Sequence, residues 1–170
     1  MDSLHESTTI TTARLVLCPL AENDADEMAV VLADPALHEF IGGQPATLDE
    51  LRLRYAELAL GSGSTAELWL NWIVRRTADS AAVGTVQATV LDPDSQPSAM
   101  VAWTIGSPWQ RQGYASEAAA GLVHWLSGNG VTPIVAHVHP DHAASSGVAV
   151  RIGLRPTADV VDGETVWQMD

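Results

Sequence analysis

Residues 103–115 decide the fold: Trp103-Thr104-Ile105, then a turn from Gly106 to Gln112, then Gly113-Tyr114-Ala115. A β-rich triplet, a turn with glycine and the start of a helix follow one another here. The first N–H groups of a helix have no partner inside it and carry a partial positive charge, so such a start suits a phosphate group. An ordinary strand-to-helix turn is the alternative interpretation.

The residues after this turn predict a helix, because the apolar ones recur on one helical face. They are Ala115, Ala118, Ala119, Leu122, Val123 and Leu126. Elsewhere, β-rich runs predict strands at residues 14–18, 68–75, 83–91, 100–105 and 134–139. A helix capped by Asn23 or Asp24, one opened by Thr47 and Glu50, and a short one over 143–152 complete the core pattern. Two further strands are expected around Asp162-Gly163, which is a strong hairpin dipeptide. The element order predicts an α/β chain with a mixed sheet.

Composition limits the possible functions. The chain has 170 residues, of which 46% are apolar, with six Trp, and this excludes a disordered chain. Its formal net charge is −13, and all eight basic residues are Arg. Because nucleic acids and anionic membranes attract basic surfaces, we expect neither as a partner.

Compartment signals are few. Cys18 is the only cysteine, so no intrachain disulfide is possible. The acidic, polar start lacks the basic and apolar segments of a secretory signal, and no apolar run reaches the roughly 20 residues that span a bilayer. We therefore expect a cytoplasmic protein, with residues 1–10 as a loose N-terminal tail. The oligomeric state stays open, a homodimer included.

The stretch from Gln110 to Ala115 matches the pattern Gln/Arg-x-x-Gly-x-Gly/Ala, and so resembles the acetyl-CoA pyrophosphate signature of the GNAT acetyltransferase superfamily. Residues 12–17, 109–118 and 141–154, together with the ending around Asp162-Gly163, resemble its ribosomal-protein (Rim-type) branch. The likeness covers nearly the whole chain. It implies one acetyltransferase domain over residues 1–170, with the GNAT fold: a central mixed, mostly antiparallel sheet flanked by helices and splayed between its fourth and fifth strands.

The resemblance also implies an acetyl-CoA site. Backbone groups of Trp103, Thr104 and Ile105 are expected to pair with the pantetheine arm like an extra strand, and the Trp103 side chain to face the acyl group or the acceptor. Backbone amides of a loop are expected to cradle the pyrophosphate, and they belong to Gln110, Arg111, Gln112, Gly113, Tyr114, Ala115 and Ser116. Where the family usually has an Asn that contacts pantetheine, this chain has His142, which can still donate one hydrogen bond.

For catalysis, the resemblance makes Ser145 the group that protonates the leaving thiolate. The alternative is a first-turn serine that bonds its own helix. An amine nucleophile, with a solution pKa of about 10, must lose a proton before attack. Many relatives carry a carboxylate on the fourth strand, but residues 98–100 here are Ser-Ala-Met. The general base is therefore Glu67, His139 or an ordered water. Glu67 is alternatively a solvated strand end, and His139 a polar cap on its strand.

A metal site is the other interpretation of the histidines. His137 and His139 share a strand face, and His142 follows three residues on. No cysteine joins them, and the resemblance already accounts for His142, so we expect no metal.

The acceptor is inferred from charge. Residues 20–67, which form the variable acceptor wall in the GNAT fold, hold ten acidic and two basic residues, a net −8. A cleft of one sign concentrates the opposite ion. We expect a small cationic amine, such as an aminoglycoside-type antibiotic, another amino-sugar or a polyamine. A protein N-terminal amine is the alternative substrate, and a CoA-binding regulatory module without turnover is the alternative function.

Overall fold

The computed structural model describes Leu4 and residues 8–169. Its strands are β1 (Ile10–Thr11), β2 (Leu15–Pro19), β3 (Glu67–Arg76), β4 (Ala82–Leu91), β5 (Ser98–Ile105), β6 (Ile134–Val138), β7 (Arg155–Val161) and β8 (Glu164–Met169). Its α-helices are α1 (Ala25–Val31), α2 (Leu48–Leu60), α3 (Tyr114–Gly128) and α4 (Ala143–Arg151). None of the helices in the described ranges is long and apolar enough to cross a membrane.

All eight strands form one sheet in the order β1-β2-β3-β4-β5-β6-β8-β7. Each neighbouring pair is antiparallel except β5 and β6, which run parallel and pair only at Ala99–Ile134 and Met100–Val135. Beyond these two pairs the strands separate. We call the gap between residues 101–105 and residues 136–139 the wedge. The mixed, mostly antiparallel sheet and its splay between the strands predicted as fourth and fifth are thereby confirmed.

Helices cover both faces of the sheet. The larger core contains Trp72, Leu122 and Ala149, so α3 and α4 lie on one face. A smaller cluster with Met28, Tyr55 and Ile73 puts α1 and α2 on the other. The predicted apolar face of α3 is confirmed, since all six of its residues are buried except the half-buried Ala115.

Several local predictions are also confirmed. Thr47 and Glu50 form a reciprocal capping box at the start of α2. Asp162 and Gly163 have φ values of 50° and 83°, and this left-handed pair turns β7 into β8. The helix α1 does begin after Asp24, but the Asp24 carboxylate accepts from Ala21 N–H at 2.9 Å and makes no cap bond to α1.

The N-terminal boundary needs a correction. Of the tail predicted over residues 1–10, residues 1–3 and 5–7 lie outside the described residues. Ile10 belongs to β1 and pairs with Leu17 of β2. Leu4 is only 5% exposed, and the Trp72 indole donates to the Thr8 carbonyl at 2.8 Å. The described part of this tail therefore packs on the sheet, because β2 leaves an edge that a short strand can pair.

Candidate active site

The edge of β5 that borders the wedge has free backbone groups. Ala99 N–H donates toward β6, to Pro133 O at 3.0 Å, and Gly106 N–H donates toward β4, to Val83 O at 2.8 Å. The parallel pairing of Met100 with Val135 engages the Val101 N–H with β6, and because backbone groups alternate along a strand, the Val101 C=O and the N–H groups of Trp103 and Ile105 face the wedge. Thr104 presents its own to β4. Of the predicted pantetheine contacts, the structure thus brings Trp103 to the wedge but not the backbone of Thr104.

Two contacts bear on the predicted roles of Ile105 and Trp103. The Ile105 carbonyl accepts from Gln110 Nε2 at 2.9 Å, so this side chain braces the loop against the end of β5. The Trp103 side chain packs against the larger core, on the face of α3 and α4. That it faces the acyl group or the acceptor stays a prediction, and its backbone borders the wedge.

The end of β5 leads into the loop before α3, whose N-terminus is uncapped. The cap position is Gly113, in the left-handed conformation with φ 81°, and no side chain bonds the first turn. The first intrahelical bond runs from Glu117 N to Gly113 O at 3.0 Å. The N–H groups of Tyr114, Ala115 and Ser116 precede it, so they point out of the helix end. This geometry suits an anion.

Gln110, Arg111 and Gln112 differ in what they offer to such an anion. Gln110 N–H donates to Ser107 O at 3.3 Å, so both its backbone donor and its side chain serve the loop itself. Arg111 is exposed and has a φ of 61°, which is uncommon for a residue with a side chain. The Gln112 carbonyl accepts from Arg14 Nη1 at 2.9 Å.

Arg14 braces this loop from outside, a role that the sequence did not reveal. Its Nε donates to Glu117 Oε2 at 2.7 Å, and its backbone N–H donates to Glu117 Oε1 at 2.7 Å. Its guanidinium also lies 4.8 Å from the centre of the Tyr114 ring. Burial by itself raises the pKa of Glu117, but hydrogen bonds from Thr12 and Arg14 outweigh it, so the pKa is lowered and the carboxylate stays charged. The segment of residues 12–17 thus fixes the start of α3.

The opposite rim of the wedge is the β6–α4 connection, where the structure brings His139, His142 and Ser145 together. His142 is the cap of α4, and its Nδ1 accepts from Ser145 N–H at 3.4 Å. His139 Nδ1 likewise accepts from Asp141 N–H at 3.2 Å. The Ser145 hydroxyl makes no hydrogen bond to any described residue, so its predicted alternative, a bond to its own helix, is absent there.

These bonds define what the two imidazoles can do. A neutral imidazole has one donor and one acceptor nitrogen. Where Nδ1 accepts in the neutral ring, the proton lies on Nε2, so each neutral ring is a donor through Nε2. Burial lowers the pKa of His142, Glu39 acts to raise it and His139 acts to lower it, and the result is a lowered pKa that favours the neutral ring.

A segment from α1 to α2 spans the mouth of the wedge on the other face. At one end, Val31 lies so close to Gly106 that a Cβ there would be 2.6 Å from the Val31 carbonyl oxygen. The Ser107 side chain and then the Ala36 N–H, which donates to Asp34 Oδ1 at 2.9 Å, lower the pKa of Asp34. At the other end, the Phe40 ring stacks on His142 with 4.3 Å between centroids.

The structure separates Glu67 from this assembly. Glu67 pairs with Leu91, which pairs with Ser98, so it is level with the closed end of the wedge. His139 follows Val138 at the open end, about 20 Å further along by strand geometry. The Glu67 carboxylate also accepts from the Trp69 indole N–H. Glu67 and His139 therefore do not act on one atom.

Most acids of residues 20–67 have local partners. Ion pairs with Arg52 or Arg75, helix caps and an indole bond engage seven of the ten: Asp24, Asp26, Glu27, Asp34, Asp49, Glu50 and Glu67. These contacts engage the carboxylates in local ion pairs and hydrogen bonds, but the net charge of the chain remains −13. Its long-range field stays negative.

The family follows from a comparison with known proteins. Residues 14–155 match the model of the acetyltransferase (GNAT) domain. The chain belongs to the GNAT acetyltransferase family. No curated protein matches it significantly. Among the described residues, no group of three or more His, Cys, Asp or Glu is arranged to hold a metal ion.

Solved structures share the fold. A protein described as a ribosomal-protein-serine acetyltransferase from Vibrio cholerae has a TM-score of 0.75 at 20% identity, covering 95% of this chain and 97% of its own. RimL, the ribosomal L7/L12 α-N-protein acetyltransferase, in complex with coenzyme A, has 0.75 at 14% identity over 95% and 97%. The microcin C7 self-immunity acetyltransferase MccE, in complex with acetyl-CoA and AMP, has 0.74 at 14% identity over 92% of each chain. At these identities the three structures show a shared fold.

Proposed function

We propose that the chain binds acetyl-CoA in the wedge and transfers its acetyl group to the primary amine of a small cationic acceptor. The proposal rests on one observation: the free edge of β5 is followed, after a short loop, by the uncapped N-terminus of α3. The edge offers the C=O of Val101, the N–H and C=O of Trp103 and the N–H of Ile105, which match the amide groups of a pantetheine arm. The N–H groups of residues 114–116 match a pyrophosphate.

Catalysis rests on donors that face the wedge. A backbone N–H at Trp103 or Ile105 stabilises negative charge on the thioester oxygen, and one such donor is worth about 3 kcal/mol. The Ser145 hydroxyl, which has no partner among the described residues, protonates the leaving thiolate. His142 donates from Nε2 to the pantetheine side. His139 has the same tautomer, so it also acts as a donor rather than as a base.

The general base is then an ordered water. Glu67 lies level with the closed end of the wedge and is bonded to Trp69. His139 has its acceptor nitrogen occupied by Asp141 N–H. A water in the mouth, in contact with solvent, takes the proton that the amine must lose before attack.

The acceptor class rests on charge. The negative field of residues 20–67 speeds the arrival of a cation even though most single carboxylates there are engaged in local contacts. This favours an aminoglycoside-type molecule, another amino-sugar or a polyamine. MccE, described as an immunity acetyltransferase, shares the fold and favours a small acceptor. RimL, described as acting on a ribosomal protein, favours the second candidate, a protein N-terminal amine.

The test is turnover with acetyl-CoA, followed by the release of free CoA, against a panel of amino-sugars, polyamines and peptides with free N-termini. We expect release to depend on both substrates, with polyamines or amino-sugars preferred over peptides. Preference for a peptide supports the second candidate. Binding of acetyl-CoA without release for any amine contradicts the enzyme and indicates a CoA-binding module.

A further inference from the structure

Phe40 is the only phenylalanine of the chain, and it reaches across the mouth of the wedge. It lies in the segment between α1 and α2, which begins where the Val31 carbonyl lies close against Gly106 at the end of β5. The segment thus contacts the β5 side at one end. Phe40 is its contact on the β6 side.

The contacts of Phe40 are with the two histidines of that side. Its ring is stacked on His142, with 4.3 Å between centroids and 21° between planes. It also lies 5.3 Å from His139 at an interplanar angle of 44°. A flat aromatic neighbour removes water from one face of the His142 imidazole and restricts its rotation.

His142 in turn holds the start of α4. Its Nδ1 accepts from Ser145 N–H at 3.4 Å, which fixes the tautomer and the position of residue 145. The order of contacts is therefore Phe40, His142, Ser145. Phe40, in the segment between α1 and α2, is thus linked through the His142 imidazole to Ser145, the residue proposed to protonate the thiolate.

We propose that Phe40 is a positioning residue, whose ring stacks on His142 and holds the imidazole in the orientation in which its Nδ1 accepts from Ser145 N–H. This role rests on the function proposed above. Phe40 thereby links the segment between α1 and α2 to His142 and Ser145, the two donors proposed to act on the thioester.

Protonation of His142 is the event that Phe40 opposes. A proton on Nδ1 removes the acceptor of the Ser145 N–H bond. Burial, to which the Phe40 ring contributes, lowers the pKa of His142; Glu39 raises it and His139 lowers it. Removing the ring admits water to the imidazole, so the pKa of His142 rises toward its usual range.

The experiment follows the ring signals of His142 by NMR across pH in the full chain. The signals are assigned by their loss in His142→Asn. In Phe40→Ala we expect the titration midpoint of His142 to move to higher pH. Acetyl-CoA affinity, measured by calorimetry at pH 8, should fall about threefold to tenfold, the worth of one hydrogen bond, and fall further at pH 6. Phe40→Tyr should restore both.

Ile41→Ala is the matched control, because Ile41 is the next residue of the segment and is 68% exposed. It should titrate and bind like the wild type. If Phe40→Ala does not fold, Phe40→Leu keeps the bulk and removes the stacking, and its His142 midpoint should also rise. An unmoved midpoint in a folded variant overturns the proposal. So does an affinity loss that Phe40→Tyr fails to restore. Absence of acetyl-CoA binding by the wild type would instead contradict the proposed function, and the titration would still decide the Phe40 contact.

Discussion

Two helices begin at the mouth of the wedge, and they begin differently. The helix α3 starts after Gly113, which has no side chain to cap the first turn, and Arg14 and Glu117 brace the loop from outside. The helix α4 starts after His142, whose ring caps its first turn. The first N–H groups of α3 are free, whereas at the start of α4 the Ser145 N–H donates to the titratable side chain of His142.

This difference indicates that the start of α3 and the start of α4 have separate functions. Free N–H groups at the start of α3 are available to an external anion, and the bracing comes from residues that do not compete for those donors. The capped start of α4 does not need an anion, and its geometry depends on the protonation of one imidazole. We therefore expect the largest losses of acetyl-CoA affinity from changes at the start of α3, and expect changes at the start of α4 to alter turnover, the pH response and, to a smaller extent, acetyl-CoA affinity.

The largest effect is expected at Ser145. Ser145→Ala keeps the backbone N–H that bonds His142 and removes only the hydroxyl. We predict that kcat falls by about 100-fold while the calorimetric affinity for acetyl-CoA stays unchanged. Ser146→Ala, one residue along the same helix, should turn over like the wild type. Wild-type turnover in Ser145→Ala would leave Ser145 without a catalytic part.

Gly113→Glu should disrupt the proposed pyrophosphate site at the start of α3. A Cβ at this position would lie 3.2 Å from Arg14 Nη2, the φ of 81° disfavours any side chain, and a carboxylate repels phosphate. We predict a loss of acetyl-CoA affinity of at least tenfold, about 1.4 kcal/mol, by calorimetry.

Gly163→Glu is its control, since Gly163 has a similar φ of 83°, no atom within 4 Å of its Cβ position, and a place in the β7–β8 turn. Equal losses in the two variants would trace the effect to general destabilisation. Full affinity in a folded Gly113→Glu would remove α3 from the binding site.

At the α4 rim, stability should depend on pH through His142. Its folded pKa is lowered, so its contribution to the free energy of unfolding is complete above its usual pKa of 6.5 and is lost as pH falls through the lowered value. His142→Ala should cost roughly 0.5–1 kcal/mol at pH 8, the worth of a cap. His142→Asn should retain a cap without this titration. Urea unfolding at pH 8 and pH 5 measures both, and parallel pH profiles for wild type and His142→Asn would contradict the assignment.

The smallest effect concerns the negative field. The Debye length shrinks from about 10 Å at 0.1 M salt to about 3 Å at 1 M, so steering of a multivalent cation weakens. We predict that the KM for the best amine rises several-fold over this range, with no parallel rise in the KM for acetyl-CoA. A neutral or anionic best acceptor, or a KM that ignores salt, would exclude the acidic segment from recognition.

The sequence predicts what depends on local pattern. The apolar period of α3, the Thr47–Glu50 capping box and the Asp162-Gly163 turn are all carried by residues close in sequence. The strand β1 was missed because its two residues are too few to show a period. Alternation along β5 is predictable, but which of its residues face the wedge depends on the Ala99–Pro133 bond. For this reason Thr104 was expected at the wedge.

The contacts missed at the site are distant in sequence. Arg14 and Glu117 are 103 residues apart, and Phe40 and His142 are brought together only by the sheet. No periodicity or spacing relates such pairs. The similarity to the Rim-type segment at residues 12–17 was the only signal that drew attention to the neighbourhood of Arg14. The roles of Ser145 and of the pyrophosphate loop stay predictions.

The central claim is that acetyl-CoA occupies the wedge, between the free edge of β5 and the start of α3. Amide NMR of the full chain during an acetyl-CoA titration tests it most directly. We predict that the largest shifts fall on the N–H signals of Trp103 and Ile105 and on those of Tyr114, Ala115 and Ser116. Saturable binding whose largest shifts lie elsewhere, with these five signals unmoved, would contradict the account.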